Sequence, residues 1–485
     1  MQKCALSLFL GLLLLSAASC GEKAQTDSAV SDTPAVTETE VTTEALPYPE
    51  YTLDLGGENF HMIYFDAVAA CGWASDIPCD IDVAEQTGEA LADAVYNRNR
   101  KIEELYNCTI TAEDEDWDIA ATVNRSVMAG DGAYDAIFPH WQVMSTLITQ
   151  GSLLQLDDLI DVSQPWWDEK ALEGFSVMGK TYAMCGDMMF MDKFSDIIIM
   201  FNKQMADNYD LGDIYTMVVD KKWTFDTMYE MCRAVSADLD ANGKYDKNDR
   251  YGFSGQNDGL YELFNSSGEK FCDMDDAGVP YLSCDGERAV SVFTRVYEFM
   301  NDSANYFNRQ QANISVADTA SMFKSDQVLF LMRPLSTLFD LRSMDADFGI
   351  IPTPLMDETQ TEYHTSIGYT VAIAAAIPVD VSDAKISAAI LDTLSAEAYY
   401  NVNDVLYDLI LGSKVTRDEN STENLEIIFS SHVYDPGEIF AFGKLADTMM
   451  NNWKNAQSKV VSSIEKKKTA VTKDIEKLLE AMADT

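Results

Sequence analysis

Positive charge is scarce in this chain: 34 lysines and arginines stand against 80 aspartates and glutamates, a formal balance of −46. Such a surface repels nucleic-acid phosphates and anionic lipid. No basic run interrupts it before Lys466-Lys467-Lys468, so nucleic acid is excluded as a partner. Histidine is scarcer still. His61, His140, His364 and His432 are scattered, which argues against a histidine-built zinc centre. There is no C-x-x-C pair; the lack of a G-x-S-x-G nucleophile turn argues against a serine hydrolase, and the lack of internal repeats against a structural or adhesin-like surface protein. Beyond the first 20 residues no segment is apolar enough to be read as a membrane span.

What is present is a large globular chain with a leader. The 485 residues are 47% hydrophobic and 11% aromatic, enough for two or more cores. Lys3 and the short apolar stretch 5–18 lead to Ala17-Ala18-Ser19-Cys20, which resembles a bacterial lipobox, with Ala17 where leucine is usual. The expectation is a signal peptide over 1–20, a lipidated Cys20, and the extracellular face of the cell membrane as location; ordinary cleavage near Ser19 is the alternative. Residues 21–49, rich in Thr, Ser, Ala, Glu and Pro, read as a disordered tether. Seven cysteines follow Cys20. Cys71 with Cys79, and Cys272 with Cys284, are near enough in sequence to pair, and the sequence leaves this open.

The sharpest local motif lies at residues 238–249, DLDANGKYDKND. Asp238, Asp240, Asn242, Lys244 (through its carbonyl), Asp246 and Asp249 fall at positions 1, 3, 5, 7, 9 and 12 of a calcium loop, with Gly243 at the turn. Position 12 is Asp rather than Glu. Before it, Thr224 is the expected N-cap of a helix whose apolar stripe is Phe225, Met228, Cys232 and Val235. After it, Tyr251-Gly252-Phe253 reads as a strand. A helix, loop and strand suit a structural calcium brace rather than a sensor.

From the start of the globular part, strands at 60–65, 108–111 and 134–138 alternate with helices at 85–106 and 123–128, an α/β pattern. The stretch AGDGAYDAIFPHWQVMSTLITQGSLLQLDDL (129–159) then resembles the extracellular sugar-binding proteins of ABC transporters, bacterial extracellular solute-binding protein family 1 (maltose-binding-protein-like). Their habit is a small-residue turn, a strand "YDxI" and a helix closing in "G-x-L-x-x-L". Trp166-Trp167 with Gly179-Lys180-Thr181-Tyr182 is similar to the family's "W…G-K-x-Y". MFKSDQVLFLMRP (322–334), DFGIIPTP (347–354) and SIGYTVAIAAAIP (366–378) resemble its later strands and crossings. Residues 382–398, with Ile386, Ile390 and Leu394, read as a helix, and 434–485 as helical, with Trp453 and Leu478-Leu479 as apolar points.

The resemblance implies a two-lobe periplasmic-binding-protein-like fold (type II). An N-terminal lobe would span 50–190 with 364–415 and a C-terminal lobe 191–363 with 416–485. It further implies a carbohydrate, an oligosaccharide, held in the cleft, ABC permease subunits as partners, the membrane reached through the lipid anchor alone, a monomer, and no catalysis. Sugars need aromatic faces and planar polar groups. On that ground His140, Trp141, Trp166, Trp167, Asp187, Arg333 and Tyr369 are the expected ligand contacts. A lone charge at the end of LFLMR singles out Arg333, because it needs a partner. The rivals are a secreted glycoside hydrolase, for which paired carboxylates are uninformative in so acidic a chain, and a binding protein for peptides or polyamines, which the negative charge would suit.

Overall fold

The computed structural model describes residues 47–72, 74–341, 347–368, 370–412, 418–451 and 459–483. The signal segment with Cys20, nearly all of the tether, Tyr369 and Trp453 lie outside them.

Two sheets organise the chain from Pro47 onward. The first has three parallel strands in the order β2-β1-β3, with β1 Asn59–Phe65, β2 Thr109–Glu115 and β3 Ala136–Phe138. Between β1 and β2 runs the helix Ala90–Tyr106, which buries Leu91, Val95 and Ile102. It begins five residues later than its periodicity suggests. Asp93 accepts the backbone N–H groups of Thr87 and Gly88, which holds that stretch as a turn and leaves Glu89 to cap the helix.

The second sheet is mixed, in the order β10-β4-β9-β5-β8. Its strands are β4 Ile197–Asn202, β5 Tyr251–Gly255, β8 Tyr306–Asn308, β9 Val328–Pro334 and β10 Phe348–Ile351. The hairpin β6 Cys272–Met274 and β7 Pro280–Leu282 lies apart. β5, β8 and β9 are parallel, while β4 runs against β9 and β10. β4 is buried at all six positions, and its first five residues read as an unbroken apolar run with no alternation. The helix Phe225–Val235 has its four expected stripe residues buried, and Thr224 caps it. It lies directly on β5 at Gly252, where a Cβ would fall 2.1 Å from the Cys232 Cα.

Two segments that cross between the sheets meet side by side: Asp196 bridges Ile367, and the Gly368 N–H donates to the Ser195 carbonyl. Beyond the crossing, 372–378 returns to the first sheet, where Ala376 pairs with Ile137 and Ile373 with His140. β11 Thr365–Ser366 also pairs with β12 His432–Val433. The chain then reaches the helix Val460–Ala483, which packs on Met144–Thr149 beside the first sheet and on Glu287–Asn301 beside the second. No helix of the described residues is long and apolar enough to cross a membrane. Cys79, Cys108, Cys185, Cys232, Cys272 and Cys284 are free thiols, the last five of them buried, so neither expected pairing forms.

The helix Ala384–Glu397 is buried along most of its length and carries Asp392 into the core. Asp392 Oδ1 accepts both the Trp166 and the Trp167 indole N–H, at 2.6 and 2.8 Å, and Oδ2 accepts the Tyr51 hydroxyl at 2.9 Å. One carboxylate thus ties the loop 165–168 and the entering chain to this helix. Asp392→Ala leaves two buried indole N–H groups unpaired, and unfolding in urea should show a loss of about 2–4 kcal/mol. A variant as stable as the parent would remove Asp392 from this role.

Candidate ligand-binding cleft

The parallel strands of the second sheet deliver their following loops to one edge, where ligand sites of α/β sheets form. The loop after β5 brings Gln256 and Asp258, and its helix Gly259–Asn265 adds Tyr261 and Glu262. The turn after β8 brings Arg309, and the end of β9 brings Arg333. Facing them are Cys71, Gly72 and 74–77, which follow β1 of the first sheet. Ser195, Ile197, Gly368, Thr370 and Val371 of the crossing segments close the back. Together they enclose a cavity of about 440 Å³.

Arg333 is 7% exposed, and its Nε and Nη1 have no hydrogen-bond partner. Burial pushes its guanidinium down, and the nearby Asp258 and Glu262 carboxylates oppose that shift. Asp258 Oδ1 is likewise buried and unpartnered, while Oδ2 accepts the Gln256 amide at 2.5 Å. Gln256 is itself held: its Oε1 accepts Arg309 Nε at 2.6 Å, and its carbonyl accepts the Tyr306 hydroxyl at 2.8 Å. Burial, reinforced by Asp258, raises the Glu262 carboxyl well above the usual range. Burial also raises Asp258, against the pull of Arg333. Gln256, Arg309 and Tyr306 thus brace Asp258, beside the two unpartnered donors of Arg333.

Of the expected contacts, Arg333 lies in this cavity. Trp141 does not. It is 1% exposed, packs on Phe175 and Tyr434, and donates its indole N–H to the Ile373 carbonyl at 3.0 Å. Trp166 and Trp167 are core residues held by Asp392, so neither offers a face to a ligand. Asp187 is paired with Lys193 at 2.8 Å, away from the cavity lining. His140 is buried at the end of β3 between Phe65 and Trp117, with neither ring nitrogen partnered, and burial pushes it down to about 4. Tyr369 lies outside the described residues. Gln256, Asp258, Glu262 and Arg309 went unseen, although three of them immediately follow strands or open a helix there. So did Trp117, 44% exposed just past β2.

The acidic loop is closed at its base by the pairing of Ala237 with Arg250. Asp238, Asp240 and Asp249 each direct one oxygen into a group within 4.8 Å of one another, a hard-oxygen donor set that fits calcium. Asp249 is buried and also accepts the Leu239 and Asp246 N–H groups, so it braces the loop as well. Asp246 is not in the converging group; its carboxylate accepts the Asn248 N–H, and the Asn242 side chain accepts that of Lys244.

A family model described as bacterial extracellular solute-binding protein matches residues 99–399. No curated protein matches the sequence. Solved structures share the fold at low identity. A cyclo/maltodextrin-binding protein complexed with maltotetraose superposes with TM-score 0.56 at 12% identity, covering 86% of this chain and 96% of that one. An ABC transporter solute-binding protein of Thermotoga lettingae, bound with α-D-tagatose, gives 0.54 at 12%, covering 87% and 100%. The maltose/maltodextrin-binding domain of Bdellovibrio bacteriovorus, bound to maltotriose, gives 0.51 at 12%, covering 86% and 100%.

The buried His140 sets a pH dependence. The unfolded chain takes up a proton near pH 6.5 that the folded chain refuses until about pH 4, so stability falls as pH drops through that window. Urea midpoints of a His140→Phe variant should fall less than those of the parent between these values; parallel profiles would show that His140 does not titrate in this way.

Proposed function

Because the chain belongs to the bacterial extracellular solute-binding proteins, we propose that it is the receptor of an ABC importer and captures a carbohydrate in the cleft around Arg333. The observation that carries this reading is the pair of buried, unpartnered groups, Arg333 and Asp258, in a cavity walled by both sheets and by the crossing segments. Buried polar groups without partners cost stability, and a ligand rich in hydroxyls satisfies them. The captured compound leaves unchanged, with no chemistry performed on it. The lobes, 50–190 with 364–415 and 191–363 with 416–485, close around it by rotation at the crossing, and the closed form is what the permease meets. Lipidation at Cys20 and the 21–49 tether hold a monomer at the outer face of the membrane.

A thermal-shift screen of oligosaccharides, polyamines and peptides tests the reading. A carbohydrate at 100 times its Kd adds about 2.7 kcal/mol to stability, and Arg333→Gln should abolish that gain. Stabilisation by no sugar, together with turnover of a chromogenic glycoside, would return the glycosidase rival.

Calcium is part of the same proposal. Asp238, Asp240 and Asp249 would hold the ion with the Lys244 carbonyl, fixing the turn between the helix Phe225–Val235 and β5. Chelation should lower the melting temperature and leave ligand affinity nearly unchanged, and Asp240→Ala should melt at one temperature with or without calcium. A parent protein indifferent to calcium would leave the loop an ordinary acidic turn.

A further inference from the structure

A second cavity, of about 670 Å³, is larger than the cleft and shares no lining residue with it. Tyr363 and His364, which lead into β11, line it together with 430–434 around β12. Lys170 and Glu173 reach it from the segment after Trp167. Lys221 comes from the turn after the helix Ile214–Val219, and Gly268 and Lys270 from the segment after the helix Gly259–Asn265. A Cβ at Gly268 would fall 3.0 Å from His364 Nε2, so the glycine makes room for that ring.

The charge of this cavity runs against that of the chain. Its lining has three ammonium groups, Lys170, Lys221 and Lys270, against two carboxylates, Glu173 and Glu362, whereas the whole chain has 34 basic residues against 80 acidic. Lys170 and Lys221 are exposed, and neither forms an ion pair within 4.0 Å among the described residues. Lys170 instead donates to the Ser430 carbonyl, and the Lys221 ammonium stands 4.4 Å from the centre of the Tyr363 ring. A carbonyl or a ring holds an ammonium in place without cancelling its charge, and each ammonium has three donors to give. Lys221 also takes φ +59°, the left-handed conformation that glycine favours after a helix, so a side chain there comes at a backbone cost. Lys270 has only a long contact with Asp273, at 3.4 Å. Burial lowers the His364 imidazole, Glu362 opposes the shift, and Lys170 and Lys270 add to it, so charges from two distant segments act on one ring.

Gathered ammonium groups repel one another, and an anion among them turns that repulsion into attraction. A tetrahedral oxyanion suits point charges that arrive from several directions, which is how lysine binds phosphate. The cavity is far roomier than one phosphate group, and Glu173 and Glu362 offer acceptors to hydroxyls on whatever carries it. We infer that this cavity is a second ligand site, which holds the phosphate group of a small phosphomonoester among Lys170, Lys221 and Lys270. The three lysines lie far apart along the chain, so no basic run announces the site. The inference does not rest on the carbohydrate reading of the cleft.

Calorimetric titration with inorganic phosphate and with glycerol 1-phosphate tests it, against chloride at matched ionic strength, because any salt screens so negative a chain. Both phosphates should bind, the ester more tightly. Lys170→Gln and Lys221→Gln should each weaken binding about threefold, and together about tenfold. Lys222→Gln, which removes an ammonium paired with Asp220, should change nothing. Phosphate heats no greater than those of chloride would overturn the site. Binding kept in the double lysine variant and lost in Arg333→Gln would place the anion in the cleft and overturn it equally. Inorganic phosphate bound as tightly as the ester would overturn the phosphomonoester.

Discussion

The pairing of Asp196 with Ile367 is the point on which the arrangement turns. It joins the two crossing segments where they leave the second sheet. The Asp196 carbonyl accepts the Leu335 N–H, which fixes the end of β9, and Arg333 stands two residues earlier, opposite Ile198 of β4. The same residue's carboxylate meets His432 at 2.9 Å, bringing in β12. The backbone of the crossing and the placement of the cleft's buried cation are therefore one structure. In the proposed closure, the wall formed by 71–77 would move relative to the wall formed by 256–262, with Arg333 beside the crossing.

Two kinds of buried charge serve two ends here. Asp392 is fully occupied by Trp166, Trp167 and Tyr51, and a satisfied carboxylate of this kind rigidifies a core. Asp258 is held on one oxygen by Gln256, which Arg309 holds in turn, while the other Asp258 oxygen and the Nε and Nη1 of Arg333 are buried without partners. An incomplete buried pair lowers the stability of the empty form, and under the proposed function a bound ligand would return that deficit. A core has no use for such a deficit, and a receptor that must distinguish full from empty does.

Much of the fold was legible in the sequence because it rests on local signals. The strand-helix alternation, the Thr224 cap with its four-residue stripe, and the apolar run that opens β4 are all properties of short windows. The site was less legible. Arg333 stood out because a lone charge ends an apolar strand. Asp258 and Glu262 did not, since in a chain with 80 acidic residues another carboxylate carries no information. Trp141, Trp166 and Trp167 were drawn toward the ligand by their type and their position after strands or prolines. Their true environment is set by Asp392 and Ile373, more than 200 positions along the chain. Which way an aromatic ring turns at a loop depends on such distant partners, and no periodicity encodes them.

Hydrogen-exchange mass spectrometry with and without a saturating oligosaccharide tests the central claim most directly. A ligand held between the sheets and closed over by both should slow exchange together in 71–77, in 256–262 and across the crossing at 195–197 and 365–368. Protection confined to one sheet, or found only at the acidic loop, would contradict a cleft that closes on its ligand.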